Sequence, residues 1–300
     1  MQVLIVADGV APYAVGGIQK YSAMLAIWLA RVGVPVCLVH AVDDDSKVPA
    51  AERLEGFPED VREAIRSIVI VRPTAGRLPG HYVRDSLKLS ERMLAAYTEA
   101  GIRSDLIAAQ GQTGRAFIRA RKRGVALPPV AIHAHGYEMF QSPQGLRGRL
   151  EQWLLRPTFA RLSKEADFVF SFGGQIRKIV RGLGVPEQRI LSARNGIEPE
   201  WLLEKPLESD AQKRRFLFVG RYERRKGVEA IHAAIEKIPV SRTEFRFIGP
   251  IPPKKRLKRS DVCYDGLVRD SVQLRSIYDT CDILLCPSYS EGMPTVILEA

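Results

Sequence analysis

Short apolar runs of four or five residues alternate along this chain with longer stretches whose apolar positions recur every three or four. The first pattern belongs to strands buried on both faces, the second to amphipathic helices. Val3–Ala7 reads as the opening strand. Ile18–Val32 follows as a helix, with Ile18, Tyr21, Leu25, Trp28, Leu29 and Val32 on one face and Gly33 as its stop. Further strands are predicted at Val36–His40, Ile68–Val71, Leu106–Gln110, Val130–His133 and Phe168–Ser171, and helices near 82–100, 112–123, 146–165 and 174–182.

A polar stretch, "EKPLESDAQKR" at Glu204–Arg214, interrupts this rhythm, which then starts again. Phe216–Val219, Phe245–Ile248 and Ile283–Cys286 read as strands, with helices at Val228–Glu236, about Val272–Tyr278, and from about Pro294. Alternating strands and helices predict an α/β protein with two parallel-sheet domains, placed at residues 1–205 and 206–300. A doubly wound domain normally carries one or two more strand–helix units than the second domain offers. The second domain is therefore expected to be incomplete and the chain truncated at residue 300.

Composition agrees with this organisation. Three hundred residues suit two domains of about 150 each. The 46% hydrophobic and 26% charged fractions exclude a disordered or fibrous chain. The net charge of +11 is spread: residues 1–150 carry 19 basic and 14 acidic side chains, leaving 45 − 19 = 26 and 34 − 14 = 20 for the rest. That balance favours anionic partners without selecting one. No apolar stretch reaches the roughly 20 residues of a membrane-spanning helix, and "MQVLIVADGV" lacks the basic start of a signal peptide. The four cysteines show no C-x-x-C spacing, and buried, reduced thiols are expected. The expected location is cytoplasmic, or peripheral on the inner face of the cell membrane.

Three stretches carry candidate chemistry. In "APYAVGGIQKYS", Gly16 and Gly17 stand between the first strand and first helix, where a parallel sheet binds ligands and a helix N-terminus faces anions. The spacing is not G-x-G-x-x-G, so no dinucleotide fingerprint is present; a plain strand-to-helix turn is the alternative. In "FVGRYERRKGVEAI", Arg221 and Lys226 flank the corresponding loop of the second domain. A forked guanidinium and a compact ammonium suit a diphosphate, although a solvated charged turn would contain the same residues. In "SYSEGMPTVILEA", Glu291 and Glu299 are eight positions apart, with Gly292, Met293 and Pro294 after the first. Carboxylates beside a phosphate site are suited to accepting hydrogen bonds from sugar hydroxyls; a helix cap and a surface residue are the alternative.

Together with "AIHAHGYE", "ARNGIEPEWL", "FRFIGP" and "YDTCDILLCPSYSEGMPTVILEA", these stretches resemble the retaining glycosyltransferases of family 4 from residue 1 to 300. The resemblance implies the GT-B fold, two Rossmann-like domains facing a cleft. It also implies a retaining, metal-independent transfer of a hexose from a nucleotide-sugar, such as a UDP- or GDP-sugar, to a glycan or lipid-linked acceptor. By position, Arg221 and Lys226 match the pair that holds the donor diphosphate. Glu291 matches the group on the transferred sugar's hydroxyls, and Glu299 the group on the ribose. Gly292, Met293 and Pro294 match a loop whose amides meet the donor. Gly16 and Gly17 match the acceptor-side loop that closes on the diphosphate, and His135 a histidine that hydrogen-bonds the donor sugar. Asn195 and Gly196 match a structural turn. Gly249 stands where the family has Gly-x-Gly, but Pro250 and Ile251 follow it, so the base is left unspecified.

Other segments point less sharply. Asp43–Asp45 contains a D-x-D but lies in a charged loop, and no metal or other cofactor is expected. "PPKKRLKRS", Pro252–Ser260, has no interleaved aromatics, which argues against nucleic acid. "GLRGRLEQWLLRPTFARLSK" places Leu150, Trp153, Leu154, Phe159 and Leu162 beside Arg147, Arg149, Arg156 and Arg161. Such a stripe either packs on its own sheet, with a kink at Pro157, or lies on an anionic membrane. Two competing functions remain: an inactive remnant or nucleotide-binding module, and a nucleotide-sugar epimerase, for which no further acidic or histidine residues stand out.

Overall fold

The computed structural model describes residues 1–74, 81–143, 145–203, 213–240 and 242–300. The chain divides into two compact units, Met1–Phe140 with Arg149–Arg194, and Gln141–Gly148 with Asn195–Ala300. The expected boundary between residues 205 and 206 lies outside the described residues.

In the first unit the elements run β1 (Val3–Ala7), α1 (Gly17–Arg31), β2 (Val36–Val42), α2 (Val48–Glu52), α3 (Glu59–Arg62), β3 (Ile65–Val71), α4 (His81–Glu99), β4 (Leu106–Gln110), α5 (Arg115–Lys122), β5 (Val130–His133), α6 (Gly145–Glu165, which belongs to this unit from Arg149 on), β6 (Phe168–Ser171), α7 (Gly174–Gly182) and β7 (Ile190–Ser192). The strands form one parallel sheet in the order β3-β2-β1-β4-β5-β6-β7. The order reverses between β1 and β4, and a crevice opens at the carboxyl ends of such strands. Every residue of β1 and β2 is buried, as expected for strands covered on both faces. On one face, Val3, Ile5 and Ala7 meet Ala23, Ala26 and Ala30 of α1, whose small side chains let the helix lie close to the sheet.

The second unit repeats the plan in β8 (Arg214–Val219), α8 (Val228–Ile235), β9 (Thr243–Ile248), β10 (Val262–Gly266), α9 (Ser271–Asp279), β11 (Ile283–Leu284) and α10 (Thr295–Glu299). Its parallel sheet has the order β10-β9-β8-β11, reversing between β8 and β11. Side chains alternate across β8. Phe218 packs with Phe245, Phe247 and α8 on one face, while Leu217 packs with Ile277 and Tyr278 of α9 on the other.

Two strands lie outside the sequence reading. In the edge strand β10, Val262, Tyr264 and Gly266 are half-buried while Cys263 and Asp265 are exposed, so no continuous apolar run betrays it. β7 has only three residues. β11 ends at Leu284, two residues earlier than predicted, and Pro294 precedes α10 rather than joining it. The cysteines also differ from expectation: Cys37 is buried, but Cys263 is exposed and Cys281 and Cys286 are half-buried. Finally, α6 runs through Pro157 without ending there. The exposed proline forfeits one backbone hydrogen bond, which the rest of this long helix tolerates.

Candidate functional site

In the second unit the chemistry gathers where the strand order reverses. The segment after β8 carries Arg221–Lys226, and the segment after β11 carries Glu291. Lys226 Nζ donates to Glu291 Oε1 at 2.5 Å, and Arg225 Nη1 lies 3.5 Å from Glu291 Oε2. Both ends of the first pair are largely shielded, with 18% and 19% of their side chains exposed. Arg225 is held in turn by Glu223 Oε2 at 2.8 Å. Arg221 turns elsewhere: its side chain is 68% exposed and pairs with Glu223 Oε1 at 3.0 Å. Of the expected basic pair, only Lys226 meets Glu291, and Arg225, the neighbour that sequence reasoning passed over, joins it. Three consecutive basic residues gave no basis for choosing between them.

The backbone explains why Lys226 and Glu291 converge. Gly227 adopts φ 73° at the start of α8, a left-handed conformation that only glycine takes without strain. A Cβ there would sit 2.5 Å from the Pro287 carbonyl oxygen, so the loop after β11 rests directly on this glycine. Tyr289 N donates to Arg225 O at 2.8 Å, zipping the two loops together. Gln141 Nε2 holds the Glu291 carbonyl at 2.9 Å, and Asn195 Nδ2 holds that of Met293 at 2.6 Å. Asn195, expected to be structural, therefore positions the loop of Gly292, Met293 and Pro294.

Glu299 has different surroundings. It is buried at the end of α10, where Tyr278 Oη donates to Oε2 at 3.3 Å. Burial, followed by the nearby carboxylate, raises the Tyr278 pKa. Both residues line a cavity of about 340 Å³ with Trp201, Leu217, Leu284 and Leu298, whereas Glu291 does not. Gly249 directly follows β9 with φ 132°, and a Cβ there would fall 1.9 Å from the Gly220 carbonyl oxygen. Its role in the structure is this close approach of the β8 and β9 ends.

In the first unit, Gly16 precedes α1, whose first turn has neither an acidic residue nor a side-chain cap. A Cβ on Gly17 would meet nothing within 4 Å, so that backbone is open to approach. Gln19, in the same first turn, donates to Asp8 Oδ1 at 2.9 Å, and burial raises the Asp8 pKa. His135 follows β5 with φ 62°, and its Nε2–H donates to Gln110 Oε1 at 2.9 Å. Its ring centroid lies 4.0 Å from that of His133 and 5.0 Å from that of Tyr21. Burial, then His133, holds the His135 pKa well below the usual imidazole range, and burial pushes His133 down to about 4. A neutral His135 that donates from Nε2 carries its lone pair on Nδ1, so the ring serves as an acceptor rather than a cation.

Among the described residues, no three His, Cys, Asp or Glu side chains are grouped to hold a metal ion. Asp43 pairs with Arg72 at 2.9 Å, and Asp44 caps a short turn through Ser46 N. Among the described residues, no helix is long and apolar enough to cross a membrane.

Comparison with known proteins identifies both units. Residues 16–196 match the glycosyl transferase 4-like domain, and residues 213–300 match glycosyl transferases group 1. The putative teichuronic acid biosynthesis glycosyltransferase TuaC of Bacillus subtilis is 25% identical over 254 residues, covering 81% of this chain. The match spans 63% of that relative's length. Among solved structures, the sucrose-phosphate synthase of Thermosynechococcus elongatus superposes with a TM-score of 0.71 at 18% identity, covering 100% of this chain and 78% of its own. HepE of Anabaena, solved in complex with UDP and glucose, gives 0.64 at 16% identity, with 100% and 78% covered. At such identities the likeness speaks for architecture, and the architecture is GT-B. With more than half of its length matched by a single family, the chain belongs to the glycosyl transferase 4-like proteins, its second unit being a group 1 domain.

Proposed function

We propose that this protein transfers a hexose from a nucleotide-sugar, with retention of configuration and without a metal, to a glycan or lipid-linked acceptor in cell-envelope polysaccharide synthesis. The observation that carries this reading is the Lys226–Glu291 pair, with Arg225 beside it, at the carboxyl edge where the second sheet reverses order. An ammonium already paired with a carboxylate is neutralised, so it can be held in place before a ligand arrives. An arriving diphosphate takes over Lys226 and the neighbouring arginines and leaves Glu291 to accept from sugar hydroxyls. In the reaction, the bond between the sugar's anomeric carbon and the β-phosphate oxygen breaks. A bond to the acceptor oxygen forms on the same face, and the departing phosphate takes the acceptor's proton. Lys226 and the arginines stabilise the charge that develops on that phosphate. His135, neutral, accepts from a sugar hydroxyl through Nδ1, and Glu299 takes the ribose. The TuaC relative, by its name, works in teichuronic acid biosynthesis, which supports a polymer or its lipid-linked precursor as acceptor.

The test is a thermal-shift screen of UDP, GDP and ADP and their sugars, followed by transfer assays. At least one diphosphate should raise the melting temperature. Lys226→Ala should lower kcat by about 100-fold with a smaller effect on donor affinity, and Glu299→Ala should chiefly weaken the donor. Full activity in Lys226→Ala would refute the diphosphate assignment. Nucleotide binding without turnover of any donor would leave a binding module instead.

A further inference from the structure

The sequence leaves two fates open for the apolar residues of α6, and the structure divides them between the helix's two halves. In the C-terminal half, Phe159, Leu162 and Ser163 are buried. In the N-terminal half, Leu146, Leu150 and Trp153 stand exposed at 82%, 59% and 68%. Within the first unit, Leu150, Trp153 and exposed Pro157 at i, i+3 and i+7 form one row on the helix surface. Contiguous exposed apolar rows of this kind mark interaction surfaces, whereas scattered exposed residues do not.

The charge around the row selects its occupant. The described side chains of α6 include four cations, Arg149, Arg156, Arg161 and Lys164, against Glu151 and Glu165. Glu165 is already held by Lys122 and Arg161 at 2.7 and 2.9 Å. Arg149, immediately before Leu150, is exposed, as are Arg156 and Lys164 about two and four turns further on. Arg147, named with this stripe from the sequence, has a side chain outside the described residues. A second copy of the same basic helix would meet like charge with like, in a chain of net charge +11. A surface of anionic headgroups would instead accept the cations while the acyl boundary takes Leu150 and the tryptophan, a residue suited to that depth. We propose that the N-terminal half of α6 docks on an anionic lipid surface, with Leu150 and Trp153 inserted and Arg149 on the headgroups. This goes beyond the proposed function and does not depend on it; it would bring the protein to the plane in which a lipid-linked acceptor lies.

The experiment is co-sedimentation with vesicles of phosphatidylglycerol and phosphatidylcholine in equal parts, and with phosphatidylcholine alone, neither containing donor or acceptor. The wild-type protein should bind the anionic vesicles and be released by high salt. Leu150→Ser/Trp153→Ser should weaken that binding by about tenfold or more, with an unchanged melting temperature because both side chains are already in solvent. Arg149→Gln alone should weaken it by a few-fold and reduce its salt dependence. Equal binding to the two vesicle types, or undiminished binding by the double variant, overturns the proposal. So does self-association abolished by the double variant in a protein that ignores vesicles; that result assigns the row to a second copy. Because the vesicles carry no substrate, failure here leaves the glycosyl-transfer reading standing, and failure of transfer leaves this one standing.

Discussion

Gly227→Ala is the substitution that best connects fold to site. Alanine there carries two separable penalties. The first is the left-handed backbone at φ 73°, which costs an L-residue about 1–2 kcal/mol. The second is the Cβ placed 2.5 Å from the Pro287 carbonyl oxygen and 3.0 Å from its Cγ. Backbone is on the other side of that contact, so the loop bearing Glu291 must move, at about 2 kcal/mol more. Gly266 supplies the control: it has the same φ of 73° in the same unit, but its Cβ would meet nothing within 4 Å. Gly266→Ala should therefore show the backbone penalty alone, and Gly227→Ala about 3–4 kcal/mol in all. Urea unfolding monitored by Trp201, packed 5.2 Å from Tyr278, reports the second unit once Trp28 and Trp153 are replaced by phenylalanine. Equal destabilisation by the two alanines would refute the seating of the Pro287 loop on Gly227, and with it the reason given for the meeting of Lys226 and Glu291.

Other consequences follow from buried polar groups. His40 and His133 are each held down to about 4 by burial, whereas an unfolded imidazole titrates near 6.5. Below 6.5 the unfolded chain takes protons that the folded chain refuses, so stability should be flat above pH 7 and fall between about 6.5 and 4. The loss should be about 2 kcal/mol per histidine at pH 5. Urea midpoints at pH 7.5 and 5.0, read by far-UV circular dichroism, check this; identical midpoints would show that these imidazoles are not buried neutral. Tyr278→Phe removes the hydroxyl that donates to Glu299 and should cost about 1–2 kcal/mol. If Glu299 serves the ribose, the same change should weaken nucleoside diphosphate binding several-fold in a calorimetric titration, with kcat less affected.

Much of the architecture was written in local pattern. The bounds of β1, β4, β5 and β6 coincide with those read from the sequence, because mostly buried strands carry few polar positions and stand out as apolar runs. β10 was hidden for the converse reason: an edge strand exposes alternate residues and mimics a loop. Motif spacing likewise brought Lys226 and Glu291 to notice before any coordinates. It did not show that Arg225 rather than Arg221 joins them, nor that Gln141 and Asn195 clamp the Glu291 loop at sequence distances of 150 and 98 residues.

By itself, then, the sequence determined most of the buried strands and the longer helices, that the sheets are parallel, and which loops hold charge beside glycine. These follow from periodicity and backbone freedom, which act over a few residues. The tertiary structure decided which cation faces Glu291, that Glu299 answers to Tyr278, and that α6 buries Phe159 and Leu162 yet leaves Leu150 and Trp153 in water. Those outcomes depend on what lies across the sheet or across a loop from each side chain. Only the assembled packing of distant segments sets that.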